Sequence, residues 1–492
     1  MSQQTDKQLT RLCLLAAALL AAVGVAARFW GLSKGLTFDE LYSMGSSSPD
    51  FSLGFVWREI LLKDVNAPLY NILLWFWNHL FPALDEWTLR LPSLLCGLFT
   101  LWAGWKWFPQ KLPALTRKIY TLILCCNGFL IYYSQEARTY ALLLLLAQSL
   151  LFAAISFAVR FNESRPVRRW EWAAYFAGGL TACYLHYFGA AFFFALSACL
   201  FGYALYFQRC DKTIFFGTAA VFLAFCPWLW LAAHNGLDHA AQTWWIPYKW
   251  SVWARGMAVM LFNRPWTAYA ALALCAVAVH VQYKTEGGSS FLRPEIFLPL
   301  GVTAVILAFV WVAGFRVNLL LPRYFLVLTP AVFLLFSAWL ALLIERDRYL
   351  ILLVPLFLLA LMYPSFFDSL LSPARGLNPL KKSAAQAVKT SDASQLAYYL
   401  HEIDYPAPAR DKLLHYYTDR AGLRVPLVPL TQELLNERFK TRESTRVWVP
   451  LCGPKRLAAL EKDFDVYTIE PDYRYCVITL MPKSRFNTAQ TQ

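Results

Sequence analysis

The chain contains many apolar runs that are long enough to cross a lipid bilayer as helices. A helix needs about 20 residues to cross roughly 30 Å of hydrocarbon. Of the 492 residues, 58% are hydrophobic and only 15% are charged, which excludes an ordinary soluble protein. The runs are rich in Leu, Ala and Phe and do not alternate with period two. They therefore predict helices and not the strands of an outer-membrane barrel.

Apolar runs bounded by charged residues predict eleven spans. They fall near residues 12–30, 91–108, 119–135, 140–159, 171–189, 190–207, 213–233, 265–283, 295–315, 324–343 and 349–364. The first run is too long for a signal peptide and no small-residue cleavage site follows it, so we interpret it as a retained span. The predicted fold class is an all-α polytopic membrane protein with a small C-terminal α/β extramembrane domain.

Basic residues in short loops predict the orientation. The net charge is +14, and five loops on one side of the eleven-span arrangement each carry at least two Lys or Arg. These loops are 106–118, 160–169, 208–212, 284–293 and 345–348. The positive-inside rule places them in the cytoplasm, with the C-terminus on the periplasmic side of a bacterial inner membrane. The orientation of the protein in the membrane thus explains its positive net charge. No motif in the sequence predicts a nucleic-acid partner.

The stretch 68–82 decides this topology, because a crossing there would turn every later loop to the other side. It is apolar but too short for a span, so we predict an interfacial or re-entrant helix within the first outer loop, 31–90. Residues 1–364 then form the membrane domain. The polar tail, 365–492, contains segments that predict a small α/β domain. Its strand-like segments are 446–451, 464–469 and 473–480, and its helix-like segments are 392–402 and 409–421.

Charged residues beside the predicted spans are the candidates for chemistry, because a charge near lipid is costly. Asp39 and Glu40 follow the first span on its outer side. Adjacent carboxylates raise one another's pKa, so such a pair suits a general base or a divalent-metal ligand. The alternative is a solvated helix N-terminus, where acidic residues are also favoured.

Arginines recur at the outer ends of several spans, a side that the positive-inside rule keeps poor in Arg. Arg138 lies beside Glu136, and the others are Arg90, Arg316 and Arg323. Guanidinium groups bind phosphate in bidentate fashion, so these residues predict an anionic ligand. The alternative for each one is an arginine that snorkels to the interface. Four residues near the same span ends are candidate substrate-binding residues, namely Glu136, Tyr140, His186 and Tyr324.

These motifs together resemble a known family. FDELYS, NAPLYNILL, RLPSLLCGLFTL, YYSQEARTYALLLL, LHYFGA and LPRYFLVLTP follow one another in this order over about residues 12–365. In this order they are similar to glycosyltransferase family 39, which includes protein O-mannosyltransferases and aminoarabinose-transferase-like proteins of the GT-C superfamily. One departure is Asn66-Ala67-Pro68, where family members usually have His-Pro-Pro or Lys-Pro-Pro.

The resemblance implies a polyprenyl-phosphate-linked sugar donor, the lipid bilayer as environment and transfer on the periplasmic face. It implies that Asp39 is the catalytic carboxylate, with Glu40 beside it, and that Arg90 and Arg138 lie near the donor phosphate or support it. The reaction is then a single displacement with inversion, in which cations hold the leaving phosphate. Neither the sugar nor the acceptor is identified.

Two further functions stay open at this point, a transporter or flippase of a lipid-linked sugar and a membrane anchor for a binding domain in the tail. The clustering of charges at one face and the absence of an internal repeat favour the enzyme over the transporter.

No cofactor is required by the sequence and no metal site is predicted, although the chemistry is compatible with a divalent metal. Cys452 and Cys476 lie on neighbouring strand-like segments of the tail, and in an oxidising compartment we expect them to form a disulfide. The alternative is two unpaired, partly buried thiols.

Overall fold

The structure is a computed structural model. It describes residues 3–64, 66–82, 85–208, 212–240, 249–313, 319–370, 379–389, 396–398, 407–430, 445–449, 461, 464–468 and 476–482. The chain divides into two compact units. The first comprises Met1–Ser33, Asp64–Leu74 and Trp87–Leu371, and the second comprises Lys34–Lys63, Trp75–Glu86 and Ser372–Gln492. Most of the predicted first outer loop is thus grouped with the tail. The predicted domain boundary at residue 364 remains a prediction.

The first unit is built from helices. They are α1 (Gln3–Trp30), α5 (Glu86–Lys106), α6 (Ala114–Cys126), α7 (Gly128–Tyr133), α8 (Tyr140–Asn162), α9 (Arg169–Leu185), α10 (Tyr187–Tyr206), α11 (Lys212–Ala240), α12 (Trp250–Phe262), α13 (Pro265–Glu286), α14 (Pro294–Ala313), α15 (Thr329–Arg346) and α16 (Leu353–Leu370). Short 3₁₀ segments cover Gly288–Leu292, Pro322–Leu328 and Arg348–Leu352.

Seven of the described helices are long and apolar enough to cross a membrane, and all seven coincide with predicted spans. They are Thr10–Trp30, Tyr140–Asn162, Tyr187–Tyr206, Lys212–His234, Pro265–Glu286, Pro294–Ala313 and Pro322–Arg346. The chain is therefore a multi-pass membrane protein, as predicted. The other four predicted spans are also helical, but they are shorter, less apolar or interrupted. The count of eleven remains a prediction.

Asn127 explains one interruption, where a span predicted at 119–135 is divided into α6 and α7. Its Oδ1 accepts a hydrogen bond from the backbone N–H of Leu130 at 2.9 Å, which caps the N-terminus of α7. Its Nδ2 donates to the carbonyl of Leu261 at 3.0 Å, near the end of α12. Asparagine competes with the helical backbone for hydrogen bonds, so it ends one helix and starts the next.

Helices α1 and α6 approach each other closely at Gly24. A Cβ atom at this position would lie only 2.2 Å from the carbonyl oxygen of Cys125. One turn later, the buried guanidinium of Arg28 donates to the carbonyls of Leu124 and Cys125 at 2.7 and 2.9 Å. The last carbonyls of a helix have no partners within the helix, so Arg28 satisfies two of them at the end of α6.

The second unit contains α2 (Phe38–Ser46) and α3 (Leu53–Phe55), followed by a π-helical turn at Val56–Ile60 and a 3₁₀ turn at Leu61–Lys63. Helix α4 (Leu69–Leu80) covers the apolar stretch predicted at 68–82. With 12 residues it is too short to span a bilayer. The predicted short helix is confirmed, whereas its interfacial placement remains a prediction.

The tail contains helices α17 (Pro379–Lys389) and α18 (Ala407–Arg420) and a five-stranded sheet. The strands are β1 (Leu396–Tyr398), β2 (Leu427–Pro429), β3 (Thr445–Val449), β4 (Phe464–Thr468) and β5 (Cys476–Pro482), in the order β2-β1-β3-β5-β4. Strand β1 is parallel to β2 and β3, and β5 is antiparallel to β3 and β4. The predicted α/β character of the tail is confirmed.

One helix prediction in the tail is wrong. Residues 396–398 lie in the segment 392–402, which we expected to be helical, but they form β1. Ala397 pairs with both Val428 and Val447 and is buried in the core of the sheet. Pairing with strands far along the chain thus overrides the local helix preference. The helix predicted at 409–421 is confirmed as α18, which ends at Arg420.

Cys476 is disulfide-bonded. It is buried at the start of β5, whereas the eight cysteines of the membrane unit that the structure describes are free thiols. Its predicted partner, Cys452, lies outside the described residues. The pairing itself therefore remains a prediction.

Candidate active site

The acidic pair begins helix α2 in the second unit. Thr37 is the N-cap, and its Oγ1 accepts a hydrogen bond from the backbone N–H of Glu40 at 3.3 Å. In return, Oε2 of Glu40 accepts one from the backbone N–H of Thr37 at 2.8 Å. This reciprocal pair is a capping box, which satisfies donors that a helix start would otherwise leave open.

The capping box gives the two carboxylates different surroundings. Glu40 is almost fully buried, with an exposed fraction of 1%, and one of its oxygens binds the N-cap. Asp39 is half-buried in the first turn of the helix. Its backbone is held by the helix, since its carbonyl accepts a hydrogen bond from the Ser43 hydroxyl at 3.2 Å. Asp39 is thus the more accessible carboxylate, on a backbone that Glu40 supports.

In the first unit, six predicted site residues come together. We call this group the arginine cluster, and its members are Glu136, Arg138, Tyr140, His186, Arg323 and Tyr324. The guanidinium carbon of Arg323 lies 6.0 Å from the ring centroid of Tyr140. The ring of His186 lies 5.3 Å from that of Tyr324 and 6.0 Å from that of Tyr140.

Electrostatics connects the remaining members of the arginine cluster. The guanidinium groups of Arg138 and Arg323 are both close enough to His186 to interact with it electrostatically. Glu136 is buried and lies within reach of Tyr140. When His186 is neutral, the two arginines and one glutamate of the arginine cluster carry a net positive charge. This charge lies beside aromatic rings. Such a site attracts an anion.

The loop between α7 and α8 positions Arg138 and Glu136. Ser93 of α5 donates from its hydroxyl to the carbonyl of Arg138 at 3.3 Å. The hydroxyl of Thr139 donates to the carbonyl of Leu185 at 3.2 Å, at the end of α9. These bonds tie the loop to two neighbouring helices and bring it beside His186, the next residue after Leu185.

The backbone determines the protonation of His186. His186 is the N-cap of α10, and its Nδ1 accepts a hydrogen bond from the backbone N–H of Phe188 at 3.1 Å. A nitrogen that accepts carries no proton, so the ring is neutral and its proton lies on Nε2. Nε2 can then donate a hydrogen bond to a ligand.

The 3₁₀ segment Pro322–Leu328 carries Arg323 and Tyr324 and packs closely against α12. A Cβ atom at Gly256 would lie 2.4 Å from Cγ of Pro322, so glycine is needed for this approach. The ring of Trp253 lies 5.0 Å from that of Phe325 in an edge-to-face arrangement. Helix α12 thus packs against the segment that carries two members of the cluster.

Arg90 is buried in α5 and contacts the chain after α1. Its Nη1 donates to the carbonyls of Leu32 and Gly31 at 2.9 and 3.3 Å. This contact fixes the guanidinium of Arg90 against the backbone after α1. Its predicted role, at the donor phosphate or in support of it, remains a prediction. Arg316, the other predicted arginine, lies outside the described residues.

No protein-family model matches the chain, and no curated protein matches it by sequence. Its fold, however, matches solved structures. ArnT from Cupriavidus metallidurans in the apo state matches with a TM-score of 0.56 at 15% identity, over 94% of this chain and 97% of ArnT. The chain has the GT-C fold.

Two further solved structures are similar to the chain, and the first of them supports the same fold. ArnT from the same organism bound to undecaprenyl phosphate matches with a TM-score of 0.55 at 15% identity, with the same coverage. The oligosaccharyltransferase AglB from Archaeoglobus fulgidus matches with a TM-score of 0.49 at 9% identity, over 95% of this chain and 74% of AglB. The predicted GT-C fold is confirmed, whereas membership of family 39 remains a prediction.

Two residues of this GT-C fold were missed by sequence reasoning. Arg28 lies near the C-terminal end of the first span, which is its predicted outer end, so the criterion that selected Arg90 could have found it. Trp253 has no local signal, because it is one of many tryptophans near the ends of apolar segments. Within the described residues, no group of three or more His, Cys, Asp or Glu could hold a metal ion. The structure thus identifies no metal ligands there.

Proposed function

We propose that this protein is an inverting glycosyltransferase of the bacterial inner membrane. It takes a sugar from a polyprenyl-phosphate-linked donor and transfers it to an acceptor hydroxyl or amine on the periplasmic face. The sugar is a hexose or a pentose, and the acceptor is a lipid, a glycan or a protein. The GT-C fold and its likeness to an ArnT bound to undecaprenyl phosphate support this proposal.

The arginine cluster is the observation that carries the proposal. Two arginines and a neutral histidine lie together in a bundle that is otherwise largely apolar. Charged groups in such surroundings are costly and mark functional sites. A polyprenyl phosphate matches this site, since its phosphate suits the guanidinium groups and its chain suits the apolar helices.

Asp39 is the proposed general base. Its carboxylate takes the proton of the acceptor O–H or N–H while the acceptor atom attacks the anomeric carbon. The bond from that carbon to the phosphate oxygen breaks, and its electron pair remains on the polyprenyl phosphate. Attack opposite the leaving group inverts the configuration.

The arginine cluster would stabilise the charge that develops on the leaving phosphate. Arg138 and Arg323 supply positive charge, and Nε2–H of His186 donates a hydrogen bond. A phosphate leaving group held by cations needs no general acid. This reaction therefore requires one carboxylate, in contrast to the two of glycoside hydrolysis.

The test uses the full chain in nanodiscs with a panel of undecaprenyl-phosphate-linked hexoses and pentoses and an extract of envelope lipids. We expect one donor to release undecaprenyl phosphate and a glycosylated product, detected by mass spectrometry. Asp39→Asn should lower this rate about a hundredfold or more, since a general base contributes about 10²–10⁴-fold. Glu59→Gln is the matched control, because Glu59 is an exposed carboxylate of the same loop.

Two results would reject the proposal. The first is a full rate in Asp39→Asn. The second is a protein that moves the donor across the bilayer but never cleaves it, which would identify a transporter. Phosphatase reporters fused within 106–118 and after 492 test the orientation separately, and we expect activity only from the second.

A further inference from the structure

Helix α18 of the tail packs against the helix that carries Asp39. Both helices belong to the second unit. The backbone N–H of Leu36 donates a hydrogen bond to the phenolic oxygen of Tyr417 at 2.5 Å. Leu36 and Tyr417 are both buried, so water does not compete for this bond.

This bond completes a series at the start of α2. The N–H of Leu36 binds Tyr417, the N–H of Thr37 binds the Glu40 carboxylate, and the N–H of Glu40 binds the Thr37 hydroxyl. Asp39 lies in the sequence between Thr37 and Glu40, the two residues of the capping box. Its backbone is therefore held from within the helix by the capping box and from outside by the tail.

Two ion pairs tie α18 to other parts of the same loop. Lys412 pairs with Asp50 and lies 5.8 Å from the ring centroid of Phe51. Arg420 lies 3.9 Å from a carboxylate oxygen of Glu86. The hydrogen bond from Lys412 lowers the pKa of the Asp50 carboxyl, which keeps this pair ionised at neutral pH. The Lys412–Asp50 pair is largely exposed and the Arg420–Glu86 pair is long, so each contributes little energy. The buried Tyr417 bond is the stronger tie.

The loop is also braced from within. The side-chain amide of Asn78 donates to the carbonyl and the hydroxyl oxygen of Ser47, both at 3.0 Å. The indole N–H of Trp75 donates to the carbonyl of Phe51 at 2.8 Å. The end of α2 is thus fixed by α4, while its beginning depends on the tail.

We infer that Tyr417 is a positioning residue for Asp39, and that the tail is part of the catalytic machinery and not a separate binding module. This inference rests on the proposed function. A general base must lie within hydrogen-bond reach of the proton it takes, and small displacements are costly for the rate. Tyr417 holds the first turn of α2 in place for this step without touching the substrate.

The test compares Tyr417→Phe with Tyr416→Phe. Both variants remove one hydroxyl from α18, but only the first removes the acceptor for Leu36. Tyr416 instead contacts Arg420, whose guanidinium carbon lies 3.9 Å from the ring centroid, and its hydroxyl is hydrogen-bonded to the same residue. Phenylalanine keeps the ring contact and loses only the bond to Arg420, so the Leu36 bond stays intact. We expect Tyr417→Phe to lower the transfer rate roughly tenfold and Tyr416→Phe to leave it unchanged.

Binding of undecaprenyl phosphate separates positioning from general damage. A positioning role predicts an unchanged Kd for undecaprenyl phosphate in Tyr417→Phe, together with the slower transfer. Hydrogen exchange of a peptide covering 34–46 should become faster in this variant. A wild-type rate, a parallel loss of carrier affinity, or unchanged exchange would overturn the inference.

The same series distinguishes this inference from the proposed function. If Asp39→Asn transfers at the full rate, the proposed function fails whatever Tyr417 does. If Asp39→Asn is inactive and Tyr417→Phe is fully active, only the positioning role fails.

Discussion

The carboxylate of Glu40 accepts a hydrogen bond from the backbone N–H of Thr37 at 2.8 Å, while the Thr37 hydroxyl accepts one from the N–H of Glu40. The two adjacent carboxylates therefore have different surroundings in the fold. Glu40 stabilises the helix, and the more accessible Asp39 remains the candidate for proton transfer.

This inequality predicts different responses to substitution at Glu40. Glutamine can also complete a capping box, so Glu40→Gln should retain most of the transfer activity. Glu40→Ala removes the cap and should destabilise the second unit by about 1 kcal/mol. Transfer rates and thermal unfolding of the two variants check this. A loss in Glu40→Gln as large as that in Asp39→Asn would show that Glu40 takes part in the proton transfer.

Arg138 and Arg323 should bind the carrier phosphate through their guanidinium forks. Lysine keeps the charge but cannot bind in bidentate fashion, so each Arg→Lys variant should weaken binding of undecaprenyl phosphate about tenfold or more. Titration of the purified proteins measures this effect. Arg293→Lys is the control, because Arg293 forms a largely exposed ion pair with Glu286. Equal affinities in all three variants would exclude the phosphate site.

Gly24 and Gly202 should respond in opposite directions to the same substitution. A Cβ atom at Gly24 would meet the backbone of α6, which cannot move aside alone, so Gly24→Ala should destabilise the protein by about 1–3 kcal/mol. No atom lies within 4 Å of a Cβ at Gly202 in α10. Gly202→Ala should therefore be neutral or stabilising, since alanine favours helix. Thermal unfolding of both variants in detergent tests the close approach of α1 and α6.

The disulfide of Cys476 should involve Cys452. In denatured protein, neither thiol should react with a maleimide before reduction, and both should react after it. Cys452→Ser should release Cys476 as a reactive thiol without reductant. If Cys476 stays protected in this variant, another cysteine is its partner. Formation of the bond in cells would also agree with a tail on the oxidising side of the membrane.

The elements of the fold were largely predictable where they depend on residues that are close together in the sequence. All seven of the described helices that are able to span a membrane coincide with predicted apolar runs, because hydropathy acts on each segment separately. The interruption at Asn127 was missed, since its hydrogen bonds reach α12, far along the chain. The helix expected over 392–402 failed for the same reason, because β1 exists through its pairing with β2 and β3.

The candidate site was predictable residue by residue but not as an arrangement. Span-end arginines and the acidic pair could be selected by the cost of charge near lipid. The sequence did not predict that Arg90 contacts the chain after α1, or that Glu40 caps its own helix. It also contained no sign of Tyr417, which is one of many tyrosines in a polar tail.

Local sequence is enough to specify the membrane helices, the short α4 and most of the strand segments of the tail, because these elements depend on neighbouring residues. The meeting of Arg138, His186 and Arg323, and the bond of Tyr417 to an N–H 381 residues earlier, are visible only in the folded chain. The cause of this difference is packing. Contacts between distant segments depend on how whole helices fit together, and no local pattern of residues encodes that fit.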